Sequence, residues 1–383
     1  MKRTTGNYTK LGNLNYFVPN PLPPNNPDFE FNKDLIDLYG AAMQALGQLN
    51  EMSHRIPNNS RFIKVYCLKE AIKSSAIEGI NTTLIEIFTK KISSTENKNK
   101  INKQTQLVLN YNKALNRAIH KVRDNDFPIV SRIILDAHKT LMSDGDGEKA
   151  SPGKYRKQQV QVGNLIPPPA NEIENLIANL EKFINEDNSI PTLIRAGLAH
   201  VQFETIHPFL DGNGRIGRLL IVLMLIQSNI LSTPILYPST YFKKHHLEYY
   251  HRLDSVRTKG DFEGWISFYL EAIKQSADDA YKRAIAIEKL EKNLNDKILS
   301  CELFTKNKLD QAKQVLSILF DSPAINVKNL QEELKISYNT AASIIDKFLK
   351  LDILTQQEEK KKRDKTFSFK EYLDLLDKDF LNE

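Results

Sequence analysis

The chain has 383 residues and a net charge of +6, with 41% hydrophobic and 26% charged residues, a balance that excludes a disordered or fibrous protein. The length sets two or three domains, and 15 glycines in 383 residues favour helices over a turn-rich β fold. Cys67 and Cys301 lack a CxxC spacing, which excludes a disulfide scaffold and a zinc ribbon and suits a reducing, cytoplasmic setting.

No membrane span is expected, because the longest apolar run, Leu219–Ile226, is far short of the ~20 residues required. No apolar stretch follows Lys2-Arg3, so a secretory signal is not expected either. Residues 1–27 read as loop, since Pro19, Pro21, Pro23, Pro24 and Pro27 forbid a continuous helix. Leu35, Leu38, Ala42, Leu46 and Leu49 recur with helical period. A second helix over Arg61–Glu78 breaks at Gly79. The polar stretch Ser93–Lys103 reads as a surface connection, followed by helices near Gln104–Lys121 and Val130–Leu141. Asp144-Gly-Asp-Gly147 and Pro152-Gly153 signal turns. Val160 and Val162 alternate with Gln159 and Gln161, predicting a short hairpin that ends at Gly163-Asn164 and is closed by Pro167–Pro169. Helices resume over Glu172–Asn185, Pro191–Glu204, Gly214–Ser228, His246–Val256 and Phe262–Phe304. Beyond Lys308, three short helical patterns precede Ile353–Thr355 and Thr366–Phe369, which flank the charged tip Gln356–Lys365; this is the outline of a winged helix.

The densest chemistry lies in His207-Pro-Phe-Leu-Asp-Gly-Asn-Gly-Arg-Ile-Gly-Arg218. Its GxGxxG pattern is not a dinucleotide fingerprint: the preceding residues read as helix, and the next acid after Asp211 is Glu248. Gly212, Asn213 and Gly214 open directly into a helix, whose free N–H groups and dipole favour an anion. Arg215 and Arg218, one turn apart, both suit phosphate oxygens. Asp211 is a hard oxygen ligand beside that anion site, and His207 is placed to take a proton from a hydroxyl. His245, His246 and His251 lack a metal-ligand spacing and read as surface or nucleotide-rim residues.

This segment resembles the signature of the Fic family, HPFx[D/E]GNGRxxR, at every defined position. The resemblance extends to Ser151-Pro-Gly-Lys-Tyr-Arg156 with Gln159–Gly163, similar to the family's substrate-docking flap, and to Tyr249-Tyr250, similar to tyrosines near its adenine pocket. Ser74-Ser-Ala-Ile-Glu-Gly79 resembles its inhibitory motif, with Ser74, Glu78 and Gly79 at the defined positions. The flap carries Gln161 where many of that family have a large hydrophobic residue.

The resemblance implies an all-α protein: a helical core with a small β-hairpin flap, here with a C-terminal winged helix. It divides the chain into an N-terminal helical region with the inhibitory helix (1–105), a catalytic core (106–275), a linker helix (276–305) and a winged-helix domain (306–383). It implies transfer of AMP from ATP to a Tyr, Thr or Ser hydroxyl of a target protein, with Mg²⁺ held by Asp211. His207 would be the general base. Gly212, Asn213 and Gly214 would form the anion hole, with Arg215 on the β-phosphate. Arg218 would hold the γ-phosphate, or pair with Glu78 in an inhibited state. Val160, Gln161, Val162 and Gly163 would dock the target, and Tyr249 and Tyr250 would border the nucleotide.

Other Fic-type transfers (phosphocholine, UMP, phosphate) stay open, as does removal of AMP with Glu78 positioning water. A DNA-binding regulator is the alternative from another class. It would read bases through Asn339, Thr340, Ser343 and Lys347 and contact phosphates through Lys360, Lys361, Lys362, Arg363 and Lys365. A protein partner for the winged helix and a homodimer also stay open.

Overall fold

A computed structural model describes residues 3–55, 59–93, 102–124, 126–143, 150–186, 189–357 and 365–380. The turn at Asp144–Gly147 and the cations Lys360, Lys361, Lys362 and Arg363 lie outside the described residues.

The stretch expected to be loop contains an antiparallel hairpin, β1 (Gly6–Leu11) and β2 (Leu14–Pro19), with Leu11 opposite Leu14. Gly12 takes φ +62 in its two-residue turn, a conformation glycine adopts without steric cost. Ten helices then wrap one core: α1 (Lys33–Arg55), α2 (Asn59–Ile77), α3 (Leu84–Ser93), α4 (Lys103–Ile119), α5 (Ser131–Leu141), α6 (Ile173–Asn185), α7 (Thr192–Ile206), α8 (Asn213–Gln227), α9 (Ser239–Lys244) and α10 (His246–Lys259). A long α11 (Phe262–Ser300) follows, ending four residues before the expected boundary.

At the centre is α8, buried at Asn213 and continuously from Arg215 to Ile226. An apolar surface on all sides makes it a core helix rather than an amphipathic surface helix. It packs on α7, whose exit and α8's entry form the loop carrying His207 and Asp211. α11 approaches α7 closely because Gly197 has no side chain: a Cβ there would lie 2.7 Å from the Tyr269 ring. Trp265, fully buried, seals that contact and donates from Nε1 to the Gly197 carbonyl at 2.8 Å.

The expected flap hairpin is reduced to one antiparallel bridge, Val162 with Leu165, around the Gly163-Asn164 turn. The three prolines that follow leave no amide for a longer ladder. Instead, the N-terminal hairpin reaches the flap: the Phe17 amide donates to the Ile166 carbonyl at 2.9 Å.

The C-terminal elements are α12 (Lys306–Asp321), β3 (Ala324–Ile325), α13 (Val327–Leu334), α14 (Tyr338–Lys350), β4 (Thr355–Gln356), β5 (Phe367–Ser368) and α15 (Lys370–Asp377). Their strands form a small antiparallel sheet in the order β3-β5-β4. Asn326 and Ser337 cap α13 and α14 with side-chain oxygens. α12 packs on α2, β3 packs on α3, and α15 returns to α11.

Candidate active site

His207 ends α7 in the left-handed region, at φ +50, with its amide bonded to the Phe203 carbonyl at 2.9 Å. A side chain in that region is disfavoured by about 1–2 kcal/mol, so neighbouring contacts must hold it. Arg156 supplies them. Its amide donates to the Pro208 carbonyl at 2.9 Å, Nε to the His207 carbonyl at 2.8 Å and Nη2 to the Pro168 carbonyl at 2.6 Å. Arg156 is buried and staples the base of the flap to the histidine loop. Arg156→Ala should lower stability by about 2 kcal/mol or more, because two buried carbonyls lose a charged donor. Arg156→Lys should recover only part of the thermal midpoint, since an ammonium cannot reproduce the guanidinium's fixed fork. Equal midpoints for Arg156→Ala and the parent would refute that role.

His138 on α5 performs a similar task that no sequence pattern disclosed. Its Nδ1 accepts from the Gly153 amide and its Nε2 meets the Asp211 carbonyl, both at 3.0 Å, which places the single ring proton on Nε2. The ring stacks on Phe209 at 3.7 Å, and burial pushes its pKa down to about 4, so it stays neutral. Asn213 has a second task beside the expected anion hole. Its side chain both donates to the Phe209 carbonyl and accepts from the Phe209 amide, each at 2.8 Å. It therefore closes the 209–213 loop, and only its backbone N–H remains for an anion.

At the start of α8, Gly212 takes φ +82 as N-cap and leaves the first-turn amides free of a side-chain cap. Arg215 and Arg218 each keep only 1% of their surface exposed, yet they are not equally satisfied. Arg215 reaches Asp211 Oδ1 at 3.3 Å through Nη2, while its Nε and Nη1 have no hydrogen-bond partner. Arg218 donates Nε to Ser74 Oγ and Nη2 to the Ser74 carbonyl, both at 2.9 Å, and Nη2 to Glu78 Oε1 at 2.7 Å.

The Glu78 carboxylate lies over the first turn of α8: a Cβ on Gly214 would collide with its Oε1. Burial pushes the Glu78 pKa up, but Arg218 first, then Arg215 and His207, outweigh it and hold the carboxyl below its ordinary value. For Arg218 burial acts downward, and Glu78 first, then Tyr249 and Glu204, together more than reverse it. Burial drives the His207 pKa down to about 4, with the Glu204 carbonyl acting weakly the other way, so the imidazole is an unprotonated base at neutral pH.

Gly79 ends the Glu78 helix at φ +79, as its position predicts. Ser74 holds Arg218 rather than Glu78. The two tyrosines separate. Tyr249 is buried at 1% exposure, stacked on Phe242 at 4.7 Å with its hydroxyl 2.8 Å from His200 Nε2, and it interacts with Arg218 from the core side. Tyr250 is 46% exposed, and its pKa is pushed up to about 12 by burial and then by Glu78, which puts it beside the site. Val160, Gln161, Val162 and Gly163 lie outside this cluster on the solvent-facing flap, where Gln161 Nε2 donates to the Gly163 carbonyl at 2.9 Å. Glu204, also absent from the sequence-level site, is buried behind Arg218; burial lifts its pKa to about 7. His246 and His251 are surface residues.

A Mg²⁺ fits one edge of the site. Asp211 keeps 62% of its side chain exposed, with Oδ1 held by the Gly212 amide at 2.6 Å. Among the described residues no cluster of three or more His, Cys, Asp or Glu forms a protein-only metal site, so an ion at Asp211 would draw its other ligands from phosphates and water.

The family model described as "Fic/DOC family N-terminal" matches residues 36–120, and "Fic/DOC family" matches residues 128–225. The chain belongs to the Fic/DOC family. The Fic match contains the whole His207–Arg218 loop, and the N-terminal match contains Ser74, Glu78 and Gly79. "Protein adenylyltransferase Fic" of Culex quinquefasciatus is 30% identical over 159 residues, 41% of this chain and 30% of that protein. The protein of the same name from Drosophila willistoni is 27% identical over 248 residues, 63% of this chain and 46% of that protein. The chain thus spans less than half the length of these curated relatives. Among solved structures, a Fic family protein from Desulfovibrio desulfuricans covers 89% of this chain and 97% of its own at 20% identity and a TM-score of 0.54. Fic-1 from C. elegans covers 67% and 73% at 20% identity and 0.52. These likenesses support the helical Fic fold.

Proposed function

We propose that this Fic protein is an adenylyltransferase that moves AMP from ATP to a hydroxyl of a target protein and is held back by Glu78. One observation carries the reading. Two buried arginines flank an anion-binding helix start; one has unpartnered donors, and the other is occupied by the carboxylate of Glu78, just past the end of α2. A triphosphate supplies the anionic oxygens that Arg215 lacks and competes with Glu78 for Arg218.

In this reading His207 takes the proton of the target hydroxyl, and that oxygen bonds to the α-phosphorus as the bond to the β-phosphate oxygen breaks. The pyrophosphate leaves into the α8 amides and Arg215. Bound at Asp211, Mg²⁺ would neutralise phosphate charge. The flap segment Val160–Gly163 would receive the target as an added strand. Incubation with ATP labelled at the α-phosphate should place label on this protein or on a lysate protein. Label confined to γ-labelled ATP would point to phosphate transfer instead.

Asp211→Ala should reduce the gain in nucleotide affinity that Mg²⁺ confers, because the ion relies on one or two carboxylates plus phosphates. Calorimetry with and without Mg²⁺ measures this; an unchanged metal dependence would remove Asp211 from the role.

We read residues 306–383 as a winged helix, supported by the helix order and the three-stranded sheet. DNA recognition through α14 has less support: Lys347 lies 4.9 Å over the Phe304 ring, and Lys350 pairs with Asp346 at 2.8 Å. Both cations offered by that helix are thus used within the fold. A cytoplasmic setting is supported by Cys67 and Cys301, both free thiols.

A further inference from the structure

The centre of α11 holds a buried ionic cluster that the proposed reaction does not use. Arg283 is fully buried. Its Nη1 donates to the carbonyls of Leu375 at 2.6 Å and Leu376 at 2.9 Å, and its Nη2 donates to Lys378 O at 2.7 Å and to both Asp279 oxygens at 2.8 Å. Those carbonyls close α15, where a helix lacks internal partners. Phe380 completes the grip: its amide donates to Asp279 Oδ1 at 3.2 Å, and its ring lies 4.9 Å from the guanidinium.

The same cluster touches the helix that ends at Glu78. Asp279 Oδ2 lies 4.0 Å from Lys69 Nζ on α2. A parallel line runs through α9, where Lys243 donates to the Ala76 carbonyl at 2.6 Å and its neighbour Lys244 pairs with Asp379 at 3.1 Å. α2 also packs on α12, and α3 packs on β3, so both flanks of Glu78 rest on the C-terminal unit.

We infer that residues 375–380, clamped by Arg283 and Asp279, are a latch through which the C-terminal unit sets how firmly α2 holds Glu78 on Arg218. The inference rests on Glu78 being inhibitory. Withdrawing 375–380 strands Arg283 without its carbonyl acceptors and leaves Asp279 shared between Arg283 and Lys69. The α2 side of the cluster then reorganises rather than relaxing by degrees.

Phe380→Ala tests this in the full chain, with Arg283→Lys as the stronger variant. The readouts are label transfer from ATP and hydrogen exchange of the amides of residues 70–80. Phe380→Ala should raise transfer about fivefold or more, speed exchange across 70–80, and add nothing in a Glu78→Gly background. Unchanged exchange across 70–80, or an equal rise with Glu78 absent, overturns the latch. If Glu78→Gly itself fails to raise transfer, the inhibitory reading falls, and exchange alone decides whether 375–380 steady α2. If Arg283→Lys does not fold, Phe380→Ala carries the test by itself.

Discussion

Replacing Glu78 by glycine should raise label transfer from ATP by about 10²-fold, the scale of rate lost when a reacting group is held out of line. The γ-phosphate and the Glu78 carboxylate seek the same guanidinium, and the carboxylate already holds it at 2.7 Å. In the proposed reading, Glu78 displaces ATP or holds it out of alignment with His207. The pair is not a permanent block, because 32% of the Glu78 side chain remains exposed and solvent screens it. Its loss therefore costs less than the ~3–5 kcal/mol of a fully buried pair broken on one side. Arg218→Ala should be slow with or without Glu78, since it removes the phosphate ligand along with the lock. A fall in transfer for Glu78→Gly would instead make Glu78 a water-positioning residue and favour removal of AMP. No change in either direction would end the inhibitory reading.

His207→Ala should lower transfer by about 10²–10⁴-fold, the usual loss for a positioned general base, while ATP binding is retained. In the proposed reading, nucleotide affinity rests on α8 and its arginines, which the substitution leaves in place. The pH profile adds a second check. With the imidazole depressed to about 4 by burial, its base form is lost only as pH falls through that value. The acid limb of the rate should therefore lie near pH 4 rather than near the ~6.5 of an ordinary histidine. Transfer at the parental rate by His207→Ala would exclude it as the base.

The parts of this site legible in the sequence are those whose chemistry is local. Gly212, Gly214, Arg215 and Arg218 follow from a glycine turn running into a helix, and Gly79 from a helix break. What stayed hidden depends on long-range packing. His138 and Arg156 acquire their tasks from carbonyls of residues 73 and 51 positions away. Tyr249 and Tyr250 are adjacent in sequence, but a helix turns one into the core and leaves the other half exposed. Alternation of Val160 and Val162 shows a strand's side-chain period without showing how long its partner is, and the flap pairs over one bridge only. The N-terminal hairpin carries its turn signal in Leu11-Gly-Asn-Leu14, and prolines that forbid a helix still permit strands, since the first of them, Pro19, ends β2.

Ser74 gives the Arg218 contact a further meaning. Two of the three acceptors that α2 offers this arginine belong to Ser74, not to Glu78. Removing the Glu78 side chain leaves Arg218 still aimed by a serine on an undisturbed helix. Moving α2 as a body withdraws serine and acid together, and the arginine must then be oriented by the nucleotide alone. Activation by mutation and activation by displacement of the helix are therefore different states. The first starts from a preoriented ligand, and its affinity for ATP should exceed that of an enzyme released by its own C-terminal unit.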